Sequence, residues 1–324
     1  MSEHVPSLSI VIPVYRSAAS LGLLLDRLEP ALRALDTQFE VILVNDGSPD
    51  NSWEIIESLA PTRPWLAGIN LKRNYGQHNA LLCGIRRAQH EVIVTMDDDL
   101  QNPPEEIGKL VTALGDDLDV VYGTPEKEQH GVFRNLASRI TKAVLQSTMG
   151  AETASKISAF RAFRTEIRDA FGPDHSPFVN IDVLLTWGST RFTAIDVRHD
   201  ARAAGTSNYT LRMLLIHALN MLTGFSVAPL QFASLIGFAF TLLGGVVLVY
   251  VVGRYLIEGT SVAGFPFLAS VIAIFSGAQL FALGILGEYL ARMHFRTMGR
   301  PPYSIRSTTL ERDLPTESME RVRG

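Results

Sequence analysis

The chain has 324 residues, 47% of them hydrophobic and 19% charged, against about 25% charge in an ordinary soluble domain. Its net charge of -4 weighs against nucleic acid as a partner, since such domains are strongly basic. A single cysteine, Cys83, excludes an internal disulfide and fits a reducing compartment.

The N-terminus, MSEHVPSLSIVIPVY, has an acidic residue near its start and reaches Pro13 after a short apolar run. It lacks the basic and long apolar regions of a signal peptide, so the first domain is expected in the cytosol. Residues 1–125 alternate strand-like and helix-like patterns, the signature of an α/β domain with a mostly parallel sheet covered by helices. Strands are expected at 8–15, 40–45, 66–71, 91–96 and 119–122, and helices at 20–35, 52–59, 77–88 and 104–114. Each strand is a short Val/Ile/Leu run, as suits burial on both faces. Ligands of such sheets bind beyond the carboxyl ends of the strands. Three polar clusters fall there: 45–48, 72–74 and 97–101.

The stretch 124–131 is charged and punctuated by Gly and Pro, which reads as a mobile loop. A helix over 133–149, a strand near 158–163, a helix near 181–187 and a strand near 192–198 follow, then a loop over 199–208. Residues 209–222 are apolar with Arg212 near their start, which suits an interfacial helix lying on a bilayer. No Lys, Arg, Asp or Glu occurs between Arg212 and Arg254, nor between Glu258 and Glu288. Two spanning helices are expected there, at 231–253 and 265–287, each long enough at about 1.5 Å per residue for the roughly 30 Å hydrocarbon core. Arg212, Arg292, Arg296 and Arg300 flank the outer ends of this hairpin, so both termini are expected in the cytosol and the protein in the inner (plasma) membrane as a multi-pass protein. The polar tail after Arg300, with Pro301, Pro302 and Pro315, is expected to lack a packed core. The domains are then 1–208 (catalytic), 209–228 (interfacial), 229–291 (membrane hairpin) and 292–324 (cytosolic tail). Gly237, Thr241 and Gly245 on the first span, and Ala273 and Gly277 on the second, recur at four-residue spacing, giving small faces suited to close helix packing.

The sharpest local signal is Asp97-Asp98-Asp99-Leu100-Gln101-Asn102-Pro103-Pro104, where a buried strand ends and a helix is about to begin. Read as an extended segment, it puts Asp97 and Asp99 on one side, with Gln101 continuing the alternation. Hard oxygen ligands so arranged suit Mg2+ or Mn2+, which can bridge a diphosphate. After the second strand, Asn45-Asp46-Gly47-Ser48 offers a carboxylate to a base or ribose, and a glycine that lets the backbone come close. The same residues would also serve a plain tight turn. No G-x-G-x-x-G follows the first strand, which disfavours a dinucleotide site.

Taken together, PVY, NDGS, LKRNYGQHNAL, MDDDLQNPPEEI and ARAAGTSNY before FSVAPL resemble the polyisoprenyl-phosphate glycosyltransferases of glycosyltransferase family two, over about residues 7–295. The resemblance implies a GT-A-like (Rossmann-like) domain. It also implies inverting transfer of a sugar from a nucleotide-sugar, with UDP favoured, to the phosphate of a polyprenyl lipid such as undecaprenyl phosphate. Pro13, Tyr15, Asp46, Lys72, Asn74, Gln77 and Asp98 match the donor side; Asp97, Asp99 and Gln101 match the metal and diphosphate positions. Arg134 and Ser138 match an Arg and a Ser that hold the acceptor phosphate. Arg202, with Gly205, Ser207 and Tyr209, matches a mobile loop that closes over the donor. Two departures stand out: Gly123-Thr124-Pro125 where the family often has an Arg, a role left to Lys127 if to any residue, and Asn208 where it often has Lys. Relatives of this kind assemble as homo-oligomers, a tetramer being one such state. A processive polysaccharide synthase is the first alternative, but the chain has no Q-x-x-R-W segment. A non-catalytic membrane scaffold is the second, and it would have no need to retain Asp97 and Asp99.

Overall fold

The structure is a computed structural model, and it describes residues 5–125, 156–171, 179–200, 228–258 and 264–309. The expected helices at 133–149 and 209–222, and residues 201–208 of the loop expected over 199–208, lie outside these residues. By internal contacts the chain divides into one unit of residues 1–131, 145–208 and 300–324 and another of residues 132–144 and 209–299.

In the first unit the elements run β1 (Leu8–Val14), α1 (Leu21–Arg33), β2 (Phe39–Asn45), α2 (Ser52–Leu59), β3 (Leu66–Leu71), α3 (Gln77–Ile85), β4 (Val92–Thr95), α4 (Ile107–Leu114) and β5 (Val120–Pro125). Then come β6 (Arg161–Arg164), α5 (Ile181–Gly188) and β7 (Phe192–Val197). The second unit's described part is a pair of long helices, α6 (Ala228–Glu258) and α7 (Phe265–Thr297). The chain then returns to the first unit as β8 (Ile305–Thr308).

One sheet of eight strands has the order β7-β5-β6-β4-β1-β2-β3-β8. The pairs β1/β2, β1/β4, β2/β3 and β5/β7 are parallel; β6 and β8 run against their neighbours. Alternation along β1 explains its unbroken apolar run: Leu8, Ile10, Ile12 and Val14 enter one core with α1 and α4, whereas Val11 enters the other with α3. The fit of α3 is tight, since a Cβ on Gly84 would come within 2.4 Å of the Val11 side chain. Pro13 lies two residues past Val11, the last residue of β1 paired to β4, so its missing N–H removes no bond from that ladder.

Two expectations are corrected. The segment after Arg300, expected to lack packing, carries β8, which closes the β3 edge. The run 97–101 is not extended: β4 stops at Thr95, residues 98 and 99 turn, and Leu100 takes a left-handed φ of 61. Buried Leu100 draws the turn inward, and Gln101 N–H returns to Asp99 Oδ1 at 3.1 Å. The period-two alternation inferred from the sequence therefore does not place these side chains.

In the second unit α6 contains a 25-residue stretch, Leu230–Arg254, long and apolar enough to cross a membrane. The apolar part of α7, Phe275–Ala291, is shorter, and α6 is the only described helix to meet that length and composition. Phe240 and Phe275 meet edge to face at 5.6 Å between α6 and α7. Phe232, Leu235, Phe238, Leu242 and Val249 of α6 are exposed.

Candidate active site

Register brings the polar clusters together. Val14 stands opposite Asn45, and Val11 opposite Thr95, so the chain leaves β1, β2 and β4 on the same edge of the sheet. Asp46, Tyr15 and Asp97 all follow those strand ends.

Asp46 is buried, and its two carboxylate oxygens accept the N–H groups of Tyr75 (2.7 Å) and Gly76 (2.8 Å). Burial raises its pKa, and the two amides oppose that shift. Asp46 is thus the peg on which the 72–76 loop hangs. Gly47, at φ 60, lets the loop come so close: a Cβ there would lie 2.3 Å from the carbonyl carbon of Arg73 and 2.6 Å from Asn74 N. Below the peg, Asn45 Nδ2 donates to Asn70 Oδ1 at 2.9 Å in the buried sheet. Lys72, Asn74 and Gln77 project from this loop and are exposed, while the Tyr75 ring lies under the Arg73 guanidinium at 4.7 Å.

The carboxylates after β4 divide into two kinds. Asp98 turns back to β1, its Oδ2 accepting from Ser17 Oγ and, at 3.3 Å, from Tyr15 N–H. Burial pushes its pKa up to about 6, against the opposing Ser17 and Tyr15 bonds and with help from the Asp99 charge. Asp97 and Asp99 are half-buried; Asp97 Oδ1 accepts from Gln77 Nε2 at 2.6 Å, joining the β4 end to the start of α3. Among the described residues no three His, Cys, Asp or Glu side chains form a metal-ligand group. Two carboxylates alone suit a hard cation that draws its remaining ligands from water and substrate phosphates, the habit of Mg2+. The pair offers oxygen donors of the kind such a cation takes, and Gln101 follows it, its main-chain carbonyl accepting Asp200 N–H at 2.8 Å.

Behind Asp97 lies a buried polar group that sequence reasoning missed. Arg161, on β6, is ion-paired to Asp182 and donates from Nε to Thr95 Oγ1 at 3.0 Å, two residues before Asp97. The Tyr122 hydroxyl donates to Asp182 Oδ1 at 3.1 Å. Burial works against the Arg161 charge, but Asp182, Tyr122 and Asp97 hold its pKa above the usual value. Burial and the Asp182 charge likewise raise the Tyr122 hydroxyl. An arginine inside a strand was the available signal, since such a charge is buried only with a partner.

At the loop expected to close over the donor, Arg198 pairs with Glu105 and Asp200, and His199 Nδ1 lies 3.4 Å from Asn102 Oδ1. These contacts tie the start of that loop to the segment after Asp99. Pro13, Tyr15, Asp46, Lys72, Asn74, Gln77, Asp97, Asp98, Asp99 and Gln101 thus all lie at the ends of β1 to β4. Lys127, Arg134, Ser138, Arg202, Gly205, Ser207 and Tyr209 lie outside the described residues.

The family model described as glycosyl transferase family 2 matches residues 9–172. The undecaprenyl-phosphate 4-deoxy-4-formamido-L-arabinose transferases of Yersinia pestis (strain Pestoides F) and Yersinia pseudotuberculosis (serotype O:3, strain YPIII) are each 37% identical over 308 residues, 94% of this chain and 94% of theirs. Among solved structures, glucosyl-3-phosphoglycerate synthase from Mycobacterium tuberculosis, in complex with Mn2+ and UDP-glucose, superposes with a TM-score of 0.51 at 18% identity, covering 67% of this chain and 77% of that one. At that identity the likeness concerns the fold alone.

Proposed function

Because the chain belongs to glycosyl transferase family 2, we propose that it transfers a sugar from a nucleotide-sugar, a UDP-sugar first, to the phosphate of a polyprenyl lipid such as undecaprenyl phosphate. The observation that carries this reading is the convergence of Asp46, the 72–76 loop, Gln77, Asp97 and Asp99 on one edge of the sheet. The relatives similar over 94% of the chain are named for a reaction of this class.

In this reading Asp46 and the loop hung from it receive the nucleoside, with Tyr15 at the rim. Asp97 and Asp99 hold Mg2+ or Mn2+, with Gln101 and Asp98 supporting them. A divalent cation bound there supplies positive charge to the departing diphosphate. The acceptor is a phosphate, already ionised at neutral pH, and it attacks the anomeric carbon with inversion. Arg134 and Ser138 position that phosphate; Arg202, with Gly205, Ser207 and Tyr209, closes over the donor. The product is a polyprenyl-phosphate-sugar that serves cell-envelope glycan or lipid modification.

The apolar stretch of α6 and the connectivity of the chain support a bilayer location. The chain leaves the catalytic sheet before α6 and re-enters it as β8. Strands of one sheet lie on one side of a membrane, so the number of crossings between them is even. If α6 spans, a second crossing lies between β7 and β8, and among the described helices α7, whose apolar part is the shorter, is the one to supply it. Both helices then span the inner membrane, the catalytic domain and both termini stay cytosolic, and residues 209–228 lie at the interface. A Cβ on Gly245 of α6 or on Gly277 of α7 would meet nothing within 4 Å, and these small residues suit self-association into a homo-oligomer, a tetramer being one such state.

The test is a mass-resolved transfer assay in which the purified protein, in nanodiscs, meets a panel of UDP- and GDP-sugars with undecaprenyl phosphate and Mg2+ or Mn2+. A polyprenyl-phosphate-sugar of the expected mass supports the reading. Polymer formation would favour a processive synthase, and no transfer from any donor would favour a scaffold.

A further inference from the structure

The β3 edge of the sheet is finished by a strand that the chain can supply only after its two long helices. Seven residues, 298–304, separate the end of α7 from β8. Gly299, at φ 61, makes the turn, and Pro302 is buried. From there β8 pairs antiparallel with β3, placing Thr308 opposite Ile69, Ser307 opposite Asn70 and Ile305 opposite Leu71. Its grip is densest at Gly68, midway along β3, and at Lys72, just past the strand's end. Gly68 N–H donates to Thr309 Oγ1 at 2.8 Å, and Gly68 O accepts Thr309 N–H and the Thr308 hydroxyl at 3.0 Å each. Both main-chain polar groups of Lys72 are taken: its N–H donates to Ser304 O at 2.8 Å, and its carbonyl accepts from Arg306 Nη2 at 2.9 Å.

Lys72 is the first residue of the loop that hangs from Asp46. That loop is therefore held from both sides: Asp46 bonds Tyr75 and Gly76 and Gly47 lies against Arg73 and Asn74, while Ser304 and Arg306 fix Lys72. Lys72 to Asn74 are exposed, so a loop held by hydrogen bonds at one side alone would be free to move as a flap about that side. Tyr303 adds a further hold: it packs in the core beside α3, with the Arg86 guanidinium 5.9 Å from its ring.

We propose that β8, through Arg306 and the main chain of Ser304, is the positioning element of the nucleotide site. It sets the 72–76 loop against Asp46, so the donor pocket is complete only in a chain that has passed through its helices and returned to the sheet. Arg306 is here a positioning residue, acting through Lys72. The proposal rests on the reading of Asp46 and the 72–76 loop as the donor side.

The test uses the whole chain in nanodiscs, with Arg306→Ala and, independently, Thr309→Val, which removes the hydroxyl bonded to Gly68 in the middle of β3. Hydrogen exchange of the Tyr75 and Gly76 amides, UDP affinity by calorimetry with Mn2+, and Michaelis constants for donor and acceptor are measured. Arg306→Ala should quicken amide exchange at Tyr75 and Gly76 and weaken UDP binding by roughly tenfold, the loss of one charge-assisted bond. It should leave the Michaelis constant for undecaprenyl phosphate within about twofold, a split that general loosening of the fold would not give. Thr309→Val should act in the same direction, more weakly. Exchange at wild-type rates in both variants overturns the strap. Faster exchange with unchanged UDP affinity overturns its link to the donor. A wild-type protein that binds neither UDP nor GDP overturns the donor-site reading itself, a result distinct from both.

Discussion

Replacing Gly47 by alanine isolates the contact on which the candidate donor site turns. The new Cβ would start 2.3 Å from Arg73 C and 2.6 Å from Asn74 N, both backbone atoms that no rotamer change can move aside. Restoring ordinary contact requires the loop to retreat by about 1 Å. The bonds from Tyr75 and Gly76 to Asp46, now 2.7 and 2.8 Å, would then exceed hydrogen-bonding range. Holding a non-glycine residue at φ 60 costs about 1–2 kcal/mol. Each bond lost from the buried carboxylate adds about 1.5–3 kcal/mol, so the total is on the order of 4 kcal/mol or more. Gly115 is the control. It also has a positive φ, 47, here with an extended ψ of -162, but a Cβ there meets nothing within 4 Å, so Gly115→Ala carries backbone strain without the clash, about 1–3 kcal/mol. Chemical denaturation of the two variants, with UDP calorimetry, separates the effects. Gly47→Ala should lose at least tenfold in UDP affinity while Gly115→Ala keeps it. Equal destabilisation and equal UDP affinity in the two variants would refute the packing of the 46–48 turn against the 72–76 loop as the determinant of the site.

Asp97→Asn and Asp99→Asn should each lower turnover by roughly a hundredfold or more and weaken Mn2+ binding seen by paramagnetic resonance, with melting unchanged; full activity in excess chelator would refute the metal. Arg161→Met alone should destabilise the fold by about 3–5 kcal/mol, because it strands Asp182 in the interior, whereas adding Asp182→Leu should recover much of that loss in denaturation experiments. Burial pushes the Asp119 pKa up, but bonds from Ser189 and Arg191 outweigh it and hold the carboxyl below the usual range. Its stabilisation is therefore present above the ordinary carboxylate pKa of about 4 and lost as pH falls below it; Asp119→Asn should flatten that acid limb of the stability profile. A cysteine at Thr260 should label from outside the cell and one at Ser318 only after permeabilisation, with Cys83 silent because burial lifts its thiol pKa to about 12.

The parallel sheet was legible because its strands are buried on both faces and leave long apolar runs; α2 and β3 fall within the bounds their patterns indicate. Local periodicity could not show β8. Its four residues, Ile305 to Thr308, alternate weakly, and they are a strand only because the β3 edge, more than 230 positions earlier, offers unpaired backbone groups. The acidic turn misled for a related reason. Three aspartates after a strand suggest continued extension, whereas Leu100 turns inward to fill the core and forces the left-handed bend. Arg161 and Asp182 were invisible as a pair because charges are read as surface until a partner is seen, and theirs lies 21 positions away.

That buried pair also bears on which acceptor the site suits. Asp182 opens α5 and pairs with Arg161, which reaches Thr95 at the end of β4, so this carboxylate is one candidate for the general base that a sugar-hydroxyl acceptor would need. Yet its charge is committed to Arg161, and Oδ1 accepts from both the guanidinium and the Tyr122 hydroxyl. Diverting it from that pair would strand a fully buried arginine, a change that costs several kcal/mol. A nucleophile that arrives deprotonated avoids that step. A phosphate monoester does so at neutral pH, with its second pKa near 6, and needs only orientation and cationic contact. The pairing of Asp182 with Arg161 thus removes one candidate base for a hydroxyl acceptor, whereas the phosphate acceptor of the proposed reaction needs none.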